Sequence, residues 1–208
     1  YWRVSRQGQS YIVMNAPPDK EDVAPFVDIA ARLNAAGLNA PKVLAEDRAL
    51  GFLLLTDLGT RTYLPELNPD SVDALYGDAL QALQQMQTAV RCDGLPAYDA
   101  ERLRTEMQLF DTWFLERHLG YQASCDETDV VEACMQALLN SAAEQPVAFV
   151  HRDYHSRNLM IVPGANPGIL DFQDAVVGPL TYDLVSLLKD CYIQWPLQRV
   201  YPWAEDYR

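Results

Sequence analysis

Residues 147–175 read Val-Ala-Phe-Val-His-Arg-Asp-Tyr-His-Ser-Arg-Asn-Leu-Met-Ile-Val-Pro-Gly-Ala-Asn-Pro-Gly-Ile-Leu-Asp-Phe-Gln-Asp-Ala, and two polar clusters interrupt the apolar runs within them. The first, His151, Arg152, Asp153 and Asn158, lies between Val147–Val150 and Leu159–Val162; the second is Asp171, between Ile169-Leu170 and Phe172. A Pro/Gly turn from Pro163 to Gly168 separates the last two runs, so the stretch reads as a β-hairpin with polar residues at its strand ends. Asp and Asn also form ordinary turns, but three of them at this register inside apolar strands converge on one small volume. An Asp carboxylate and an Asn carbonyl are hard oxygen ligands for a divalent cation, and a second carboxylate can take a proton from an attacking hydroxyl. Metal-assisted phosphoryl transfer needs that division of labour.

Asn158 follows Asp153 by five residues and Asp171 follows it by eighteen, the register of H-R-D-x-x-x-x-N and D-F-x. With His-x-Asp-x-His-x-x-Asn, Leu-Asp-Phe-x-x-Ala, Gly178-Pro179 and Tyr182-Asp183-Leu184, the chain resembles the aminoglycoside phosphotransferase and choline kinase branch of the protein-kinase-like fold. The strings His151–Met160 and Asp171–Trp195 are most similar to the bacterial anomeric sugar kinases acting on N-acetylmuramate and N-acetylglucosamine in peptidoglycan recycling. The resemblance implies an α+β bilobal fold, with a small antiparallel β lobe over residues 1–58 and a larger, mainly helical lobe over 59–208. It implies ATP as donor and Mg²⁺ as cofactor. Asp153 would orient and deprotonate the acceptor hydroxyl, and Asn158 and Asp171 would hold Mg²⁺. His151 and Asp183 would support the loop, Asp183 by reaching back from the first turn of its helix. His155 and Arg157 would touch substrate or phosphate, a hydrogen bond inside the loop being an equal reading for His155. The main chain at Thr56, Asp57 and Leu58 would meet the adenine edge.

Two departures from the family pattern stand in the small lobe. The strand Tyr11–Asn15 lacks the phosphate-gripping Lys, with Met14 or Asn15 in its place, and Phe26 stands where the helix should offer the partner Glu. Joint absence is self-consistent, because either charge alone would be costly to bury. Arg3 or Arg6 on the neighbouring strand is the candidate substitute for the phosphates, although a solvated strand charge is the plainer reading.

Composition narrows the classes. At 208 residues and 49% hydrophobic content the chain is long enough for two lobes. A net charge of −13, from 29 acidic against 16 basic residues, opposes nucleic-acid or anionic-membrane binding. No apolar run approaches membrane-spanning length. The chain opens on Tyr-Trp-Arg-Val without a basic and apolar leader. It is read as part of a longer protein, with the Gly-rich strand before residue 1 and further helices past Arg208. Cys92, Cys125, Cys134 and Cys191 show no metal spacing and read as buried free thiols. With ATP use, they point to a cytoplasmic protein, expected to be a monomer.

The remaining pattern is helical. Residues 20–36 end at Gly37, a C-terminal stop, and strands are expected at 41–45 and 51–55. Val72, Leu75, Ala79, Leu83 and Met86 form one stripe. A helix over 100–118 carries Leu103, Met107, Phe110 and Phe114, beside Trp113, as core, with Glu106, Asp111 and Glu116 on a solvated acidic face rather than a pocket wall. A helix over 128–143 turns Val131, Cys134, Leu138 and Ala142 inward, and another runs from 182 to about 192. Only Phe172–Thr181 separate Asp171 from that last helix, too few residues for an activation segment, so a small hydroxyl compound is the expected acceptor. Arg152 is then free for packing or a salt bridge within the loop. Charge keeps a cationic aminoglycoside or choline open as acceptor, and the missing Lys keeps open a non-catalytic nucleotide-binding scaffold.

Overall fold

The computed structural model describes residues 1–207. Arg208, the end of the expected helical lobe, lies outside the described residues. The alternating residues at the start form β1 (Trp2–Arg6) and β2 (Gln9–Asn15), paired antiparallel from Trp2↔Val13 to Arg6↔Gln9. Gln7 and Gly8 turn this hairpin at φ 54° and 79°, the left-handed pair that a two-residue turn requires. β3 (Val43–Asp47) and β4 (Phe52–Thr56) form a second hairpin that joins through β4 to β2, and the sheet order is β1-β2-β4-β3.

Gly51 permits the joint. The Ala16 N–H donates to its carbonyl at 2.8 Å, its φ is 73°, and a Cβ there would lie 2.0 Å from the Ala16 carbonyl oxygen. Gly51→Ala is expected to lower stability by about 2 kcal/mol or more, since both the dihedral and the contact exclude a methyl group. An unchanged urea midpoint would show that β4 is not held against Ala16 in solution.

Behind the sheet lies α1 (Ala24–Ala35), with Phe26, Ile29, Ala30 and Leu33 buried. It starts at Ala24 instead of Lys20, because Pro25 has no N–H to give a helix interior and fits its first turn; Asp22 accepts the Ala24 N–H at 2.9 Å. After a 3₁₀ turn at Leu64–Glu66, α2 (Val72–Ala89) buries Val72, Tyr76, Ala79, Leu83 and Met86. Its core is continuous, from Met14 and Leu33 through Tyr76 and Leu83 to Phe149, Phe172 and Trp203.

The expected helix 100–118 divides. α3 (Ala100–Met107) is capped by Asp99, which accepts the Arg102 N–H, and gives way to a π-helix at Phe110–His118. The wider turn of a π-helix carries an i, i+4, i+7 stripe off one face. Phe110, Trp113 and Phe114 are accordingly 48%, 55% and 46% exposed and do not form core. In α4 (Cys125–Ala143), opened by a Ser124–Glu127 capping box, the buried residues are Met135 and Leu139, while Leu138 and Cys134 are exposed. Both stripes have helical spacing. Docking on α3, through Arg104 to Glu132 and Gln136, selects the one that faces in. The cysteines are free, but Cys125, Cys134 and Cys191 are exposed and Cys92 is half-buried, so the buried-thiol reading fails for three of them.

The stretch 147–175 is not one hairpin. β5 (Val147–Val150) pairs with β8 (Val176–Pro179), from Val147↔Pro179 to Val150↔Val176, and β6 (Leu159–Met160) pairs with β7 (Gly168–Ile169). The residues after Phe172, read as a connection, supply the missing strand. α5 (Tyr182–Leu188) is shorter than expected, and the Pro-containing tail forms α6 (Leu197–Asp206), which buries Val200 and Trp203.

Candidate active site

The loop 151–158 leaves β5, and the loop 170–175 leaves β7. The Leu170 N–H donates to the Asn158 carbonyl at 2.9 Å and joins them. In the first loop the His155 N–H reaches the Asp153 carbonyl at 3.0 Å and the Asn158 N–H the His155 carbonyl at 2.9 Å, a tight turn. The Asn158 Nδ2 donates to the Asp153 carbonyl at 3.0 Å and to Asp171 Oδ2 at 3.3 Å. Asp153, Asn158 and Asp171 are thus brought together. Arg152 and Asp171 hold φ of 79° and 62°, left-handed backbone that non-glycine residues adopt at a cost and that clusters at functional sites.

Asp183 fixes the loop from behind. It is buried in the first turn of α5, and Oδ2 accepts the His151 N–H at 2.6 Å while Oδ1 accepts the Arg152 N–H at 3.0 Å. Burial pushes its carboxyl up to about 7, against the pull of those two amides. His151 is fully buried, and burial holds its ring down at about 4. Its Nδ1 accepts the Asp153 N–H at 3.3 Å, which places the ring proton on Nε2. Burial, then Asp171, raises the Asp153 carboxyl above its ordinary value.

The two buried groups oppose each other in pH dependence. His151 is protonated in the unfolded chain but neutral in the folded one between about pH 4 and its unfolded value near 6.5, so it adds stability as pH rises through that window. Asp183 is protonated in the fold but ionised in the unfolded chain from its ordinary 3.8 up to about 7, so its contribution falls as pH rises. Each slope is at most about 1.4 kcal/mol per pH unit. The unfolding midpoint is therefore expected to stay nearly flat from pH 5 to 6.5 and, in His151→Gln, to fall as pH rises across that range. A mutant profile as flat as that of wild type would refute the opposition.

Arg152 makes its salt bridge to α3 and not within its own loop: Nη2 donates to Glu106 Oε1 at 2.5 Å. Glu106, expected on a solvated face, is half-buried and also receives the hydroxyls of Tyr98 and Tyr182. Asp190 was not anticipated. It is buried and accepts the Ser156 N–H at 2.9 Å, the Ser156 hydroxyl and the Tyr192 N–H at 2.8 Å. A carboxylate just past the C-terminus of α5 opposes the helix dipole, and that was its one signal in the sequence.

A cleft of 530 Å³ opens beside this cluster, lined on one side by Asn158, Asp171 and Phe172 and on the other by Arg3, Thr56, Asp57 and Leu58. Arg3 is not free for phosphates. Its Nε and Nη2 engage Asp57 at 2.6 and 3.1 Å, Nη2 also reaches the Gly59 carbonyl at 2.7 Å, and this pairing holds the Asp57 carboxyl down at about 2. Met14 and Phe26, two of the residues expected in place of the Lys–Glu pair, are buried, and Phe26 packs on Phe172 at 4.8 Å between ring centres. A larger cavity of 980 Å³ is lined by Asp28, Asp99, Glu101, Arg102, Glu106, Arg152 and Asp174.

The donor set suits Mg²⁺. No cluster of three or more His, Cys, Asp or Glu gathers among the described residues, and Mg²⁺ takes one or two protein oxygens together with phosphates and water. The Asn158 NH₂ donates both to the Asp153 carbonyl and to Asp171 Oδ2, while Asn158 Oδ1 accepts no hydrogen bond among the described residues.

The cleft thus lies between residues of the four-stranded sheet, Arg3, Ile12 and Leu55, and the loop residues Asn158 and Asp171. The chain belongs to the phosphotransferase enzyme family, whose model matches residues 1–207. It is 47% identical over 201 residues to an N-acetylmuramate/N-acetylglucosamine kinase of Pseudomonas aeruginosa, covering 97% of this chain and 59% of that one. To the protein of the same name in Pseudomonas putida it is 44% identical, covering 100% of this chain and 61% of the relative. The chain thus spans about three fifths of the length of these relatives. Among solved structures, a Streptomyces rimosus aminoglycoside phosphotransferase in complex with ADP and streptomycin superposes with a TM-score of 0.67 at 15% identity, over 96% of this chain and 79% of that one. That likeness establishes the protein-kinase-like fold.

Proposed function

We propose that the chain transfers the γ-phosphoryl group of ATP to the anomeric hydroxyl of N-acetylmuramate or N-acetylglucosamine. The observation that carries this reading is the Asn158 side chain, which bridges the Asp153 carbonyl and the Asp171 carboxylate at the edge of the 530 Å³ cleft. The relatives' names support the choice of acceptor.

Asp153 takes the proton of the sugar hydroxyl, the oxygen attacks the γ-phosphorus, and ADP leaves with the electrons of the broken bond. Its raised pKa makes Asp153 a stronger base than an ordinary carboxylate, and an anomeric hydroxyl is more acidic than other sugar hydroxyls. Asn158 Oδ1 and the Asp171 carboxylate would hold Mg²⁺, which would supply charge neutralisation on the phosphates. Asp57 and Leu58 make no main-chain bonds in the loops among the described residues, which suits them to an adenine edge. Use of ATP supports a cytoplasmic location for the reaction.

The test is steady-state ATP consumption by the full-length protein with Mg²⁺ and, separately, N-acetylmuramate, N-acetylglucosamine, kanamycin and choline. Turnover confined to the amino sugars, with a 1-phosphate as product, is the expected result. The acidic lining of the 980 Å³ cavity favours a cationic acceptor as the second reading, and turnover on kanamycin or choline would establish it. ATP binding without turnover on any acceptor would favour a scaffold.

A further inference from the structure

The chemistry above leaves one cation of the loop 151–158 unused. Arg152 is engaged by Glu106 and Arg3 by Asp57, whereas Arg157 takes part in no ion pair among the described residues. Arg157 is exposed, and its guanidinium carbon lies 4.8 Å from the centre of the Tyr192 ring. An aromatic ring orients a guanidinium without neutralising it.

The plate under Arg157 is itself anchored. Buried Asp190 accepts the Tyr192 N–H through one oxygen and the Ser156 N–H and hydroxyl through the other. Ser156 directly precedes Arg157, so one carboxylate ties the ring and the residue it supports to the same point. His155 packs edge-on against the same ring, with centroids 5.3 Å apart, and its N–H is bonded to the Asp153 carbonyl. The proposed base and the free guanidinium therefore belong to one hydrogen-bonded turn.

We infer that Arg157, oriented by Tyr192, is an anion subsite of the acceptor site that takes the carboxylate of an acidic sugar. The inference rests on the sugar-kinase reading above. N-acetylmuramate carries a lactyl carboxylate that N-acetylglucosamine lacks, and a free guanidinium offers that carboxylate two parallel N–H donors. A local cation also reconciles an anionic acceptor with a net charge of −13, because the field at the site, not the sum over the chain, acts on the ligand.

The experiment measures kcat/KM for both sugars and KM for ATP in the full-length protein, as wild type, Arg157→Gln, Arg157→Lys and Tyr192→Leu. Arg157→Gln is expected to lower the ratio of kcat/KM for N-acetylmuramate over N-acetylglucosamine by about tenfold or more, chiefly through KM for the acid, as befits one charge-assisted contact. Arg157→Lys recovers part of the ratio, and Tyr192→Leu moves it the same way by less. Equal losses on both sugars, or a raised KM for ATP, would overturn the inference while leaving the sugar-kinase reading intact. A wild type inactive on both sugars would remove that reading and the inference with it.

Discussion

Asp153→Asn is expected to reduce sugar-dependent ATP turnover by about a hundredfold or more, with ATP binding preserved. The substitution keeps the size of the side chain and the main-chain bonds at 153 that shape the loop, while removing the carboxylate proposed to take the proton. It is also expected to leave stability unchanged or slightly raised. Partial desolvation and the nearby Asp171 carboxylate already disfavour the charge on Asp153, so a neutral amide there carries no electrostatic cost. Initial rates with N-acetylglucosamine, nucleotide titration and urea unfolding on the same preparation separate these outcomes. Retained turnover would remove Asp153 from the reaction. Lost turnover together with a large drop in midpoint would make its role structural.

Asp183→Ala is expected to behave in the opposite way, losing stability first and activity as a consequence. Two buried amides, of His151 and Arg152, would lose their acceptors. Each orphaned amide costs about 1–3 kcal/mol, and the cavity adds to that, so a total near 4 kcal/mol is expected. Asp183→Asn, which keeps one acceptor oxygen but turns an NH₂ toward the other amide, should fall between wild type and Ala. Arg152 holds φ of 79° only because its surroundings impose it. The Asn variant is therefore expected to show a reduced kcat at conditions where it is fully folded. Wild-type stability in both variants would mean that the loop holds its shape without α5.

The candidate site was legible because its three proposed side chains fall within nineteen residues of one another and are of types that apolar strands do not otherwise hold. Asp183 was legible from its place in the first turn of a helix. Glu106 and Asp190 were not. Glu106 belongs to a charged stretch that reads as solvated surface, and only the docking of α3 against the loop 151–158 brings it 2.5 Å from Arg152. Arg3 was placed on the correct strand, as a solvated charge or a ligand of the nucleotide phosphates. Asp57, fifty-four residues away, took it.

Local chemistry by itself determined the strands at the start of the chain, the glycine-bearing turns, the apolar stripe of α2 and the register of Asp153, Asn158 and Asp171. Those features depend on the period of side chains along the backbone and on which residues tolerate a turn. Tertiary packing decided the rest: that β5 pairs with β8 instead of β6, that Met135 and Leu139 face inward instead of Cys134 and Leu138, and that Phe110, Trp113 and Phe114 stay exposed on a π-helix. Each is a choice between arrangements that satisfy the same local periodicity, and the contact that separates them comes from residues distant in the chain.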